Sequence, residues 1–271
     1  HTGSLDPLAT GVLPICFGEA TKFSQYLLNA DKTYESVFCL GQTMDTGDAD
    51  GQVTGETDAS SVTEGDIEAA LVKYRGDIKQ VPPMYSARKK DGQPLDKLAR
   101  EGVEVEREAR PVTIYEYEIL SFEPGEKALV KVRVSCSKGT YIRSLAEELG
   151  RDLGVGAHVT ELHRTKAGNF EISEAVSLDF LREERGEERA ETLDHHLLPV
   201  DTPVSNLPEI ELDADSAFYF GRGQALMVSQ IYHHGAEGDT VRVFQEGGEF
   251  LGVGEITGDG CVAPKRLVVT Q

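Results

Sequence analysis

Four stretches with alternating side chains and many β-formers constrain the fold most: Lys32–Gly41, Arg110–Phe122, Lys127–Cys136 and Ala157–Ala167. Alternation sends successive side chains to opposite faces, so each stretch can bury one face of a strand and wet the other. Between the last two lies a strongly amphipathic segment, Thr140–Leu153. Its Ile142, Leu145, Ala146, Leu149 and Leu153 share one helical face, and Gly154 ends it. Weaker signals fill the gaps. Thr63–Tyr74 opens with the cap signal Thr63-x-x-Asp66 and spaces Ile67, Ala70, Leu71 and Tyr74 at helical intervals. Gly41–Gly51 is a polar loop rich in Gly and Asp, and Val81–Ser86, with its Pro-Pro pair, is expected to be extended. Pro94–Glu101 reads as a short helix stopped by Gly102, and Val103–Val105 as a strand. Leu178–Leu198 is a charged helical stretch, and the Pro-rich 199–208 segment marks a domain boundary. Short strands with Gly turns follow at Ala225–Val228, Thr240–Gln245, Phe250–Ile256 and Arg266–Val269. The expected division is therefore 1–198 and 199–271.

The 271 residues carry 39% hydrophobic and 27% charged side chains, the balance of an ordinary globular protein. No apolar run reaches the roughly 18–20 residues of a membrane span. The four cysteines form no CxxC pair, so neither zinc ligation by thiols nor a disulfide scaffold is expected, and reduced cytoplasmic thiols are the plain reading. A net charge of −20 argues against generic polyanion binding, which favours a basic balance. The bases do gather locally, at Arg88-Lys89-Lys90, Lys97, Arg100, Lys138, Arg143, Arg164 and Lys166, and could form a basic face on an acidic body.

The first fourteen residues, H-T-G-S-L-D-P-L-A-T-G-V-L-P, make a stiff polar loop in which Asp6 is the one ionisable side chain besides His1. Gly3 and Gly11 allow close backbone approach, while Pro7 and Pro14 fix φ. A lone carboxylate held in this way suits a nucleophile or a base. On pattern alone, Asp6-Pro7 equally fits a helix N-cap followed by Pro at the first helical position. Asp45-x-x-Asp48-x-Asp50-Gly51 lacks the acid spacing of a calcium loop and is expected to be a polar support for a pocket. His195-His196 and His233-His234 lack matched ligand partners along the sequence and read as surface residues.

The opening run, continued as I-C-F-G-E-A-T-K, resembles the signature of the TruB family of tRNA pseudouridine-55 synthases. The resemblance recurs at Lys32-Thr33-Tyr34, at Leu40–Gly51, at Val81–Ala87, at Cys136–Arg143, at Gly156–Val159 and at Leu162–Thr165. It implies an α+β fold: a mixed, mostly antiparallel catalytic sheet of pseudouridine-synthase type with flanking helices, plus a small C-terminal PUA-like β domain. The family's leading strand and Lys-Pro-x-Gly element would precede His1, so the chain is expected to begin inside the catalytic domain.

The implied reaction is isomerisation of a flipped-out T-loop uridine of tRNA. It breaks the N1–C1′ bond and joins C5 to C1′, so it needs no cofactor and no metal. By the resemblance Asp6 is the essential carboxylate and Arg143 its pairing partner. Tyr34 stacks on the base and is proposed to take the C5 proton. Tyr141 and Leu162 line the uridine pocket, and His1 lies against the folded-out T-loop nucleotides. tRNA is the implied partner of a monomer with no obligate protein partner. Two other readings stay open: a non-catalytic tRNA-folding chaperone or RNA–protein scaffold, and an aspartate-dependent glycosidase, for which Asp48 would be the second acid.

Overall fold

A computed structural model describes residues 1–86, 89–90, 92–103, 105–187 and 189–269, the side chains at 89, 90, 94, 96 and 100 excepted. The chain divides into two compact units. One comprises Ser4–Leu13 and Asn29–Ser173, and the other comprises His1–Gly3, Pro14–Leu28 and everything from Glu174 onward.

The first unit holds β1 (Thr10–Gly11), β2 (Lys32–Leu40), β3 (Gln42–Met44), β4 (Val53–Glu56), β5 (Gly76–Gln80), β6 (Lys89–Lys90) and β7 (Gln93–Pro94). It continues with β8 (Arg110–Glu123), β9 (Leu129–Cys136), β10 (Ala157–Ala167) and β11 (Phe170–Glu171). A seven-stranded sheet runs β1-β10-β2-β9-β8-β5, with β11 on β10. Every pairing in it is antiparallel except that of β1 with β10. The four alternating stretches are thus its four central strands. In β9 the alternation is complete: Val130, Val132, Val134 and Cys136 are all buried.

Two longer helices follow α1 (Ser24–Asn29) in this numbering: α2 (Glu64–Leu71) and, after α3 (Leu95–Arg100), α4 (Ile142–Asp152). Ile67 and Leu71 of α2 and Ile142, Leu145, Ala146 and Leu149 of α4 join one core with the inner faces of β2, β8, β9 and β10. Gly150 lets α4 sit close to β10, because a Cβ there would lie 2.2 Å from the Ala157 nitrogen. The capping box forms in full. Thr63 Oγ1 accepts from the Asp66 N–H, and Asp66 accepts from the Thr63 N–H.

The second unit carries α5 (Leu178–Arg185), α6 (Ala214–Phe220) and β12 (Glu209–Leu212), β13 (Leu226–Met227), β14 (Thr240–Gln245), β15 (Glu249–Ile256) and β16 (Cys261–Leu267). Its five-stranded sheet runs β12-β14-β15-β16-β13 over a core that includes Ile210, Phe220, Val241, Val243 and Val262.

Several local expectations are corrected. The loop at 41–51 begins with β3, which pairs with β4. Val103 and Val105 lie in no strand, and Glu104 is outside the described residues. The charged stretch 178–198 is not one helix: α5 stops at Gly186, with φ at 54°, and a 3₁₀ segment follows at Ala190–His196. The last strand is Cys261–Leu267 rather than Arg266–Val269. All four cysteines are free thiols.

Candidate active site

Asp6 caps no helix. Its carbonyl accepts from the Ala9 N–H at 2.9 Å, closing a β-turn with Pro7 in its second position. The chain then becomes β1, parallel to β10 at His163 and Arg164. Three contacts fix this seam. The Val12 N–H donates to the Arg164 carbonyl at 2.9 Å. Arg164 Nε donates to the Val12 carbonyl at 2.7 Å. At Gly11, with φ at 110°, a Cβ would lie 2.2 Å from the Arg164 carbonyl oxygen, so a side chain has no room. The turn is thus held rigidly with Asp6 at its head.

Facing it is Arg143, in the first turn of α4. Arg143 Nε lies 2.9 Å from Asp6 Oδ2 and 3.6 Å from Asp48 Oδ2. The Nε–H of Arg143 aims at neither oxygen well enough for a hydrogen bond, so both contacts are ion pairs. The other nitrogens hold the group in place: Nη1 donates to the Thr46 carbonyl at 3.0 Å and Nη2 to the Tyr85 carbonyl at 2.7 Å. The guanidinium is 4% exposed, Asp48 is 6% exposed and Asp6 is 37% exposed. One carboxylate of the trio therefore reaches solvent.

Asp48 is the residue that sequence reasoning undervalued. Its Oδ1 accepts from Thr46 Oγ1 at 2.7 Å and from the Asp50 N–H at 3.2 Å, which leaves Oδ2 toward Arg143. The loop is stitched to β10, with Ala49 N–H donating to the Val159 carbonyl and Val159 N–H to that of Gly47. The clue was the Asp/Gly spacing, but nothing local in it pointed at Arg143. Gln80 carried no signal at all. Buried at the end of β5, it accepts from the Tyr141 N–H at 2.7 Å and donates to the Tyr141 carbonyl at 3.0 Å, fixing the residue that precedes α4.

Tyr34 projects from β2, opposite Arg164 on β10. Burial pushes its phenol above the ordinary value. Cys136 and Asp6 add to the rise, while the Arg164 guanidinium, which hydrogen-bonds it, opposes it. That direction is opposite to what a phenolate base at neutral pH needs. Leu162 is 8% exposed on β10 and packs in the main core, with Tyr34 and Leu8 against the same cluster. A cavity of about 450 Å³ is lined by Leu8, Thr10, Thr160, Glu161, Leu162 and His163. A second, of about 480 Å³, is lined by residues that include Thr43, Glu147 and Arg151. Asp6 and Arg143 line neither, and the exposed Asp6 is reached directly from solvent. His1 is exposed and belongs to the other unit.

Five of the nine bases expected on a basic face have described side chains, and each of the five is buried or engaged. Arg143 and Arg164 are buried, Lys97 and Lys166 pair with Glu101 and Glu171, and Lys138 donates to Asn29 Oδ1 at 2.9 Å. Arg88 and the side chains of Lys89, Lys90 and Arg100 lie outside the described residues.

Residues 1–142 match the profile of the N-terminal domain of TruB family pseudouridylate synthases. The chain belongs to the TruB family. Residues 143–205 match the tRNA pseudouridylate synthase B C-terminal domain, and 208–268 match the C-terminal domain of pseudouridine synthase II TruB. A tRNA pseudouridine synthase B of Saccharophagus degradans is 61% identical over 268 residues, spanning 99% of this chain and 86% of that protein. One of Pseudomonas aeruginosa is 53% identical over the same shares. Among solved structures, a chain of a Cbf5-Nop10-Gar1 complex aligns with a TM-score of 0.69 and 26% identity, covering 100% of this chain and 75% of that one. A chain of an H/ACA RNP bound to a substrate RNA containing 2′-deoxyuridine aligns with a TM-score of 0.70 at 24% identity, covering 100% of this chain and 76% of that one, a likeness of fold. The expected α+β architecture, with a mostly antiparallel sheet and a small C-terminal β module, is the one these TruB-type proteins share.

Proposed function

We propose that this chain converts uridine to pseudouridine in tRNA, at the T-loop position 55, with Asp6 as the essential carboxylate. The single observation that carries the reading is the solvent-reaching Asp6 carboxylate 2.9 Å from the buried Arg143 guanidinium, at the head of the turn that leads into β1. The extruded uridine is seated with its ribose toward Asp6. The N1–C1′ bond breaks, the detached uracil rotates, C5 joins C1′, and the C5 proton leaves as N1 gains one, so the atoms balance without a cofactor. Arg143 holds Asp6 in orientation through their ion pair. Tyr34 supplies the aromatic wall, and its neutral phenol, not itself a base, orients the water that takes the C5 proton to solvent. Tyr141 and Leu162 complete the pocket, and His1 contacts the folded-out loop. The 199–271 segment grips the acceptor side of the tRNA, and the enzyme acts in the cytoplasm as a monomer.

Support comes from the family membership and from tRNA enzymes so similar over the whole chain. The test is tritium release from tRNA labelled at uridine C5. Asp6→Asn keeps the shape of the side chain and removes its charge. Release should stop while tRNA affinity stays within a few-fold of wild type. Undiminished release from the variant refutes the assignment of Asp6. Binding without release by the wild-type chain itself would favour the chaperone or scaffold reading.

A further inference from the structure

In the second unit, α5 and the 3₁₀ segment Ala190–His196 bring together three side chains of metal-ligand type. Glu184 Oε1 lies 3.1 Å from His195 Nε2, and Glu184 Oε2 lies 2.5 Å from His196 Nε2. One ligand atom from each residue falls within 4.8 Å of the others. The two imidazoles stand side by side with centroids 4.0 Å apart, and Phe180 meets His196 edge-on at 5.9 Å. The histidine pair that seemed to lack a ligand partner along the chain has one in Glu184, which the break at Gly186 folds back toward it.

The protonation pattern is informative. His195 Nδ1 sits 3.0 Å from the Thr192 carbonyl oxygen. A carbonyl only accepts, so Nδ1 carries a proton, and in the neutral ring Nε2 is then a bare lone pair. Nε2 faces a carboxylate oxygen, so this contact needs either a second ring proton or a metal ion between the two atoms. An Nδ1–H given to a backbone carbonyl is also how metal-bound histidines are held in orientation. Packing offers a second, independent observation. Neither α5 nor the 3₁₀ segment contains a buried residue, so no apolar core within them joins the two. Among the described contacts, the Glu–His cluster and the Phe180 ring contact join the two.

We propose that Glu184, His195 and His196 form a binding site for a divalent transition-metal ion of the zinc type, which closes the 178–196 segment on itself. Two imidazoles and a carboxylate supply three ligands and leave a fourth position to water. With metal–ligand bonds of about 2.0–2.2 Å, tetrahedral donors sit about 3.4 Å apart, so the 3.1 Å Glu184–His195 pair nearly fits, and the 2.5 Å Glu184–His196 pair must open by about 0.9 Å to admit the ion. The side chains are 30%, 58% and 22% exposed in chain order, so the ion enters from solvent. Hard oxygen-seeking cations such as magnesium are poorly matched to two nitrogen donors.

The experiment titrates zinc into the full chain in competition with a colorimetric zinc chelator, and follows hydrogen exchange of 178–196 with and without zinc. One equivalent should bind in the micromolar range. Glu184→Gln, His195→Ala and His196→Ala should each weaken it at least about tenfold, and zinc should slow exchange in the segment. The His233→Ala/His234→Ala chain should bind as wild type, and magnesium should not compete. Circular dichroism checks that each variant is folded. Zinc binding that survives all three substitutions, or no stoichiometric binding by the wild type, overturns the proposal and leaves ordinary imidazolium–carboxylate pairs. Neither result bears on pseudouridine formation, which tritium release reads separately.

Discussion

A guanidinium shared by two carboxylates explains why the opening loop has both a stiff frame and one acid. Arg143 spends its two terminal nitrogens on the Thr46 and Tyr85 carbonyls, and Nε is left for Asp6 and Asp48. Lysine cannot span those positions, because it offers a point charge rather than a fork. Arg143→Lys should therefore lower kcat by about 10² or more, a loss typical of reacting groups misplaced by an ångström, with KM changing less. Steady-state kinetics on tRNA separates the two. At Tyr34 the sign of the perturbation matters. Burial raises the phenol above its ordinary value, so between pH 7 and 9 the phenolate fraction is small and climbs tenfold per unit. A phenolate base would make the single-turnover rate climb with it. We expect a flat profile instead, and Tyr34→Phe should keep tRNA affinity because the stacking face remains.

Among the elements, those with their own periodicity were legible and those made by pairing were not. Capping at Thr63 could be read because the box is local, and Thr63→Ala should cost about 1 kcal/mol in chemical denaturation. β1 could not be read. It is two residues long, and its strand character comes from β10, 152 positions away at the Val12–Arg164 contact. Gly11→Ala should break that seam, with φ and the Arg164 carbonyl both against it, and reduce activity more than global stability. Thermal melting compared with tritium release tests this. The β2–β9 pair carries a pH signature. Glu35 pairs with Lys131 and with Arg133, its neighbour in register, and their hydrogen bonds hold its carboxyl below the usual range. A lowered folded pKa stabilises above the unfolded value near 4.5 and is lost as pH falls through the folded one. Glu35→Gln should thus melt lower than wild type at pH 7 and converge with it once the pH falls below the lowered folded value. The half-exposed partners limit the difference to about 0.5–1 kcal/mol.

For the whole molecule the question is how a chain of net charge −20 holds RNA. Two of the arginines expected on a basic face are buried, and two of the lysines are paired with acids. Affinity must then rest on shape and on a few phosphate contacts. If roughly two to four phosphates are neutralised, tRNA affinity should fall about 10- to 100-fold between 50 and 200 mM salt, well short of the 10³–10⁵ of a strongly basic binder. Filter binding across that range measures the slope, and a steep one would locate cations beyond those described.

What the sequence determined by itself were the features whose cause lies within a dozen residues. These include the alternation of β2, β8, β9 and β10, the apolar face of α4, the cap of α2, and the Gly/Pro framing that made Asp6 a candidate. Tertiary structure alone decided that Asp6 heads a turn rather than a helix, that Asp48 shares the guanidinium of Arg143, that Gln80 pins Tyr141, and that Glu184 finds the paired histidines. The Asp48–Arg143 and Gln80–Tyr141 contacts join groups distant along the chain. The Asp6 turn and the Glu184 cluster depend on how a short segment bends, and neither kind of contact is encoded in local periodicity.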